Sequence, residues 1–197
     1  MSVLVAEKVG IEEYLKQEFA SEERHEYYDG KITVMAYASD NHELIVANVV
    51  GKLWNLLEET DYRIYPSNRM LHIPDTERFY YADAILVNGQ PEFFHYKTKM
   101  KATLNPCTII EVLSDSTEQK DRGEKWQGYR KIPSLQEYVL IAQNEIYIEV
   151  FRKTITEEEK EIWLNEYYDA NDQSILIAGQ AILLSEIYRK VDFDSAE

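Results

Sequence analysis

Helical spacing is clearest between Asn41 and Glu59, where Leu44, Val46, Ala47, Val50, Leu53, Trp54 and Leu57 recur with the period of a one-sided helix. Ser39 or Asp40 stands where its N-cap belongs. Residues 9 to 19 predict a shorter helix, followed by the polar stretch Ser21-Glu22-Glu23-Arg24-His25-Glu26 and the turn signal Asp29-Gly30. Lys31 to Tyr37 then alternates as a strand.

Downstream the pattern is strand-like at Asp61 to Pro66, Arg69 to Ile73, Phe79 to Val87 and Cys107 to Leu113. The last two runs are nearly continuous in apolar character, as expected of central strands covered on both faces. Ser116 or Thr117 can cap a second helix reaching to about Lys131, where Ile132-Pro133-Ser134 stops it. Residues 135 to 142 and 145 to 153 predict a hairpin around Gln143-Asn144, and 161 to 168 and 174 to 184 add further strand-like runs. No repeat or Gly/Ser linker interrupts this order, so one domain spanning the 197 residues is expected. The class it implies is α/β (α+β): a mixed β-sheet flanked by helices.

Composition narrows the function. A net charge of -15 opposes unspecific attraction to phosphate backbones, so a nucleic-acid function needs a local basic surface, a bridging metal or a partner. Cys107 is the sole cysteine, which excludes an internal disulfide and a cysteine-rich zinc site. The start, Met1-Ser2-Val3-Leu4-Val5-Ala6-Glu7, lacks a basic segment leading into a long apolar one, and a cytoplasmic location is expected. Fifteen tyrosines suit strands and interfaces.

Two acids interrupt the central apolar runs: Asp83 in Tyr80-Tyr81-Ala82-Asp83-Ala84-Ile85-Leu86-Val87, and Glu111 in Cys107-Thr108-Ile109-Ile110-Glu111-Val112-Leu113. An ionised carboxylate is costly in such a strand unless it is paired or binds a metal, so two on neighbouring strands suggest a magnesium site. A carbonyl from Val112 could add an oxygen. The alternative is two separate carboxylates, each tied by a local hydrogen bond or an arginine. Four scattered histidines show no ligand spacing, no glycine-rich loop follows a strand, and no serine sits in a nucleophile elbow.

Three stretches resemble the Uma-two family of bacterial proteins, assigned to the PD-(D/E)XK restriction-endonuclease-like superfamily. They are Arg24-His25-Glu26-Tyr27-Tyr28-Asp29-Gly30-Lys31-Ile32, Tyr80-Tyr81-Ala82-Asp83, and Ile110-Glu111-Val112-Leu113-Ser114-Asp115-Ser116-Thr117 continuing through Asp121 to Leu135. The resemblance implies a restriction-endonuclease-like core with Asp83, Glu111 and Glu26 around Mg2+ or Mn2+, and hydrolysis of phosphodiester bonds in nucleic acid, DNA by analogy. It also makes a homodimer, with one site per strand, an expectation.

This chain departs from the family pattern twice. The proline usual before the first aspartate is Ala82, and the lysine expected two positions after the glutamate is Leu113. Lys125 matches a lysine of the family's third block and is the expected catalytic ammonium, with Lys120 and Arg122 as competitors and as candidate nucleic-acid contacts. Lys97, Lys99, Lys101, Arg130 and Lys131 complete the available basic set. Without the resemblance, Lys125 reads as a solvated helix charge beside Glu124 or Asp121, and Glu26 as support for the Asp29-Gly30 turn. His42, near the start of the long helix, could approach the site or be a surface residue at a helix start, and the second is the preferred expectation. The competing functions are a nuclease-like binding or regulatory module that no longer cuts, and an interaction protein recruiting a partner through exposed tyrosines and acidic surface.

Overall fold

The computed structural model describes residues 8–35, 37–67, 69–97 and 100–194, so Lys99 of the basic set lies outside the described residues. The chain opens with α1 (Ile11–Ala20) and the antiparallel strands β1 (His25–Tyr28) and β2 (Lys31–Val34). The turn between them has Asp29 and Gly30 at φ 48° and 80°, the paired positive angles of a tight hairpin turn. Next comes α2 (Asp40–Leu56), with the Ser39 hydroxyl accepting from the His42 amide at 3.1 Å as its N-cap.

The strands β3 (Tyr62–Pro66), β4 (Met70–Ile73), β5 (Arg78–Tyr81), β6 (Ala84–Asn88), β7 (Phe93–Tyr96), β8 (Met100–Thr103) and β9 (Thr108–Leu113) follow. A helix then forms in three consecutive pieces: Glu118–Lys120, a π-helical turn over Asp121–Lys125, and Trp126–Tyr129. The chain ends with β10 (Glu137–Ala142), β11 (Tyr147–Ile155), β12 (Glu161–Asp169), β13 (Ser174–Ile177), β14 (Gln180–Leu183) and a short turn of helix, Leu184–Ile187.

The mixed α+β class expected from the sequence is the one observed, with its strands shared between two six-stranded sheets. The first runs β2-β1-β5-β4-β8-β7 and the second β12-β11-β10-β9-β6-β3, while β13 and β14 pair apart. Each large sheet is antiparallel except for one parallel pair, β4 with β8 and β9 with β10. Parallel neighbours need a crossover, and the helix between β9 and β10 supplies it.

Several elements differ from expectation, among them the run from 174 to 184, which is the β13–β14 hairpin. The apolar run from Phe79 to Val87 is two strands in different sheets, and the chain changes sheets at Ala82-Asp83. The polar stretch before Asp29-Gly30 contains β1, and the basic connection after Val87 contains the β7–β8 hairpin.

Packing places the site. On one face of the second sheet, Ile45, Val49 and Leu53 of α2 pack against Ala84, Leu86, Ile110, Val112, Val139 and Ile141. On the other face, Ile85, Ile109, Leu113, Tyr138 and Leu140 meet Leu71, Ile73 and Tyr80 of the first sheet and Tyr129 of the crossover helix. Each such fully buried aliphatic contributes about 1.5–3 kcal/mol. Helix α1 covers the outer face of the first sheet through Tyr14 and Leu15 against Tyr27, Met70 and Phe79. Among the described residues no helix is long and apolar enough to cross a membrane.

Candidate functional site

The site lies where the two sheets and the crossover helix meet. The β6–β9 register pairs Ala84 with Ile110 and Ile85 with Ile109, so continuing it by one step brings Asp83 toward Glu111, close enough for its charge to bear on that carboxylate. Opposed residues of an antiparallel pair share a face, with Cβ atoms about 5 Å apart. Asp83 occupies the bend before β6 rather than the body of a strand. Its Oδ2 accepts from the Val112 amide at 2.7 Å and lies 3.1 Å from His42 Nε2. Val112 thus contributes an N–H to the aspartate. His42, expected at the surface, is mostly buried and reaches Asp83 from the first turn of α2. The charge and hydrogen bond of Asp83 outweigh the burial that disfavours its protonated form, so His42 titrates above the usual histidine range.

Glu111 is 2% exposed and accepts from Lys125 Nζ at 3.0 Å and the Tyr129 hydroxyl at 2.9 Å, both at Oε1. Asp121, Lys125 and Tyr129 recur at every fourth position, which puts all three on the helix face turned to β9. The π-helical turn falls between the first two, a local widening that often marks functional positions. Lys125 is 6% exposed, and a solvated helix charge is therefore the wrong description of it. Its ammonium lies 3.0 Å from Glu111, 3.0 Å from Asp121 and 3.3 Å from Glu26. Asp121 Oδ1 meets it as an ion pair without the alignment of a hydrogen bond.

These distances set the charges. Burial alone would neutralise Lys125, but Glu111, Glu26 and Asp121 hold its pKa well above the ordinary value. Burial pushes Glu111 well above the usual carboxylate range, and Asp121, Asp83 and Glu26 add to this against the opposing pull of Lys125. Burial also raises Asp121, again against Lys125. Glu26 is buried too, yet the combined pull of Lys125 and Lys120 takes it below the usual range.

Glu26 comes from the first sheet, and both of its oxygens are engaged. Oε1 accepts from the Tyr81 amide at 3.3 Å and pairs with Lys125, while Oε2 pairs with Lys120. In this arrangement it is the counter-ion of two lysines. Arg122 is held by Glu118 at 2.7 Å and by Glu149, so both candidate nucleic-acid contacts, Lys120 and Arg122, spend charge on carboxylates of the protein. Asp121, Tyr129 and His42 are members of the constellation that the sequence reading did not assign.

Among the described residues no three His, Cys, Asp or Glu side chains converge tightly enough to hold a metal ion on their own. Two carboxylates suffice for magnesium, which keeps several waters and takes further oxygens from a phosphate. Asp83 accepts both of its hydrogen bonds at Oδ2 and Glu111 both at Oε1, leaving one oxygen of each without a donor among the described residues. An all-oxygen pair of this kind fits a hard divalent cation.

Comparisons with known proteins give the family and the fold. An uncharacterized protein of Synechocystis sp. is 32% identical over 187 residues, 94% of each chain. A second uncharacterized protein of that organism is 35% identical over 141 residues, covering 72% of this chain and 78% of its own. A solved structure described as a "putative nuclease belonging to DUF820" from Anabaena variabilis superposes with a TM-score of 0.69, covering 90% of this chain and 96% of that one. At 16% identity, that likeness shows a shared fold. The family model described as "Putative restriction endonuclease" matches residues 11–179, and the chain belongs to that family, Uma2.

Proposed function

We propose that this protein is a magnesium- or manganese-dependent endonuclease that hydrolyses phosphodiester bonds in DNA, working in the cytoplasm as a homodimer with one site for each strand. The observation carrying the reading is the convergence of Asp83, Glu111 and Lys125 from a sheet-changing bend, a central strand and a crossover helix. Asp83 and Glu111 are the residues that would hold the ion. When bound, such a cation supplies a water of lowered pKa and stabilises charge on the phosphoryl oxygens. Lys125 keeps a full positive charge beside Glu111, preorganised for the negative charge that grows in the transition state. His42 and the Val112 amide fix the orientation of Asp83, and Tyr129 fixes that of Glu111.

A second reading, a nuclease-like module that binds without cutting, draws on Leu113 at the position of the usual lysine and on the engagement of Lys125 by three carboxylates. Cleavage of plasmid and linear DNA with magnesium or manganese decides between them. Asp83→Asn and Glu111→Gln are expected to abolish cleavage while circular dichroism and gel filtration stay unchanged. Equal activity in those variants would assign the cleavage to a contaminant, and calorimetry without saturable metal binding would leave the non-cutting module.

A further inference from the structure

Lysines and arginines of this acidic protein differ in what holds them. Lys52, Lys120, Arg122 and Arg152 sit on carboxylates, whose negative charge offsets theirs toward an anion from outside. Arg69 and Lys101 sit on rings. The Arg69 guanidinium lies 4.2 Å from the centre of Tyr65 and 5.4 Å from that of Phe93, and the Lys101 ammonium lies 5.1 Å from Phe93. Among the described residues neither cation has a carboxylate within ion-pairing distance. A ring face positions a cation without neutralising it, so both stay available to an anion from outside.

Their placement relates them to the acidic pair. Phe93 pairs with Thr103 and His95 with Lys101 across the β7–β8 hairpin, and Thr103 in turn pairs with Leu71. Phe93, His95 and Lys101 therefore share the face of the first sheet that carries Leu71, the face turned toward Ile109, Tyr129 and the site. Tyr65 packs partly buried against the same core. Ser67, two residues after Tyr65, also touches the site directly, because its hydroxyl donates to the Asp83 carbonyl at 3.2 Å. Arg24 donates to the Ser67 carbonyl at 2.9 Å and is likewise without a carboxylate partner among the described residues.

We infer that Arg24, Arg69 and Lys101, the latter two seated on Tyr65 and Phe93, form the flank of the site that takes the phosphates of a nucleic-acid strand next to Asp83. The inference rests on the hydrolase reading for the identity of the reaction but not for the binding. It also reassigns the nucleic-acid contacts from Lys120 and Arg122, whose charges are used internally, to cations whose charges are not. Phosphate contacts of this kind fix the register of a strand without reading its sequence.

The test is fluorescence anisotropy of a labelled DNA oligonucleotide against salt concentration, with calcium in place of magnesium so that binding is read without turnover. The full chain should bind, and Arg69→Ala/Lys101→Ala should weaken binding on the order of tenfold near 0.1 M salt and flatten the log–log salt slope by about 2. Phe93→Leu retains both charges but removes their common seat, and should give a smaller loss with the slope nearly kept. Lys153→Ala, which removes a lysine resting on Trp163 at the opposite edge of the second sheet, should change neither quantity. Wild-type affinity and slope in the folded double variant, or no binding by the wild type, would overturn the inference. Binding that depends on these residues without any metal-dependent cleavage would remove the hydrolase reading and keep this flank. Cleavage by the double variant at wild-type KM would do the reverse.

Discussion

Replacing Lys125 by methionine removes a buried cation and leaves three carboxylates facing one another. At an effective dielectric constant near 20, each contact of about 3 Å is worth roughly 5 kcal/mol before desolvation. Three such contacts, at 3.0, 3.0 and 3.3 Å, cannot be summed, because burial of the charges and mutual repulsion of Glu26, Glu111 and Asp121 cancel most of the gain. Removing one partner of a buried ion pair costs about 3–5 kcal/mol, and that range is expected for Lys125→Met at pH 8. The cost has a ceiling, because Glu111, already pushed up by burial, can take up a proton once the ammonium is gone. A carboxylate with a raised folded-state pKa adds stability at low pH and loses it as pH rises through that pKa, so the deficit should be smaller at pH 5 than at pH 8. Urea unfolding followed by tryptophan fluorescence measures both values, with Trp126 stacked on Phe151 and Tyr138 beside the site as reporter. Lys125→Met/Glu111→Gln should be more stable than Lys125→Met alone, since an amide replaces an uncompensated charge. A loss under about 1 kcal/mol at both pH values would place the ammonium in water and refute the reasoning.

Two further perturbations probe the scaffold. A Cβ at Gly128 would lie 2.9 Å from Arg78 Nη1 and 3.0 Å from Ile73 Cδ1, where Arg78 is buried against the Tyr28 ring and donates to the Glu124 carbonyl at 2.7 Å. Gly128→Ala should therefore destabilise by about 1–3 kcal/mol despite the better helix propensity of alanine, and a stabilised variant in urea unfolding would show slack in this contact. His72 stacks on Phe79 at 4.2 Å, and burial lowers its pKa from 6.5 to about 4. A depressed histidine contributes stability above its unfolded-state pKa and loses it as pH falls, here between 6.5 and about 4, by about 1–2 kcal/mol once partial solvent contact is discounted. His72→Phe should flatten that limb of the stability curve; a curve parallel to wild type would mean that another group titrates there.

Much of this arrangement was legible in the residues, and the losses have identifiable causes. Helix α2 was visible in its apolar spacing, but its buried face runs through Ile45, Val46, Val49 and Leu53, leaving Ala47 and Trp54 of the expected stripe exposed; the Ser39 cap lies at the position its hydroxyl chemistry suggests. Glu111 was visible because a lone acid in an unbroken apolar strand has few affordable explanations. The sheet change at Ala82-Asp83 was hidden, since β5 and β6 are both buried on two faces and run together as one apolar string. Ala82 replaces the proline that would have marked the break. Strand β1 could have been inferred, because a tight Asp-Gly turn before one strand implies a partner strand on its other side. Asp121 and Tyr129 carried a signal in their four-residue spacing from Lys125, but spacing alone does not say which face is inward. Whether Lys120 and Arg122 are free depends on Glu26 and Glu149, residues from distant strands, and no local pattern records that.

The missing lysine in β9 has a structural counterpart rather than a gap. Glu111 and Leu113 are two positions apart on one strand, so both face the layer that the crossover helix occupies. Leu113 fills that layer as buried core at 4% exposure, and Lys125 descends from the helix onto the same carboxylate. A lysine at 113 and a lysine at 125 would compete for one volume and one counter-charge, and two ammonium groups there would repel at short range. With leucine in the strand, the cation is supplied from the helix, and its position is set by three carboxylates, while Trp126 and Tyr129 anchor that helix on Tyr138. With leucine at 113 an ammonium still meets Glu111, so the departure from the sequence motif leaves in place the charge arrangement that the proposed hydrolysis would use.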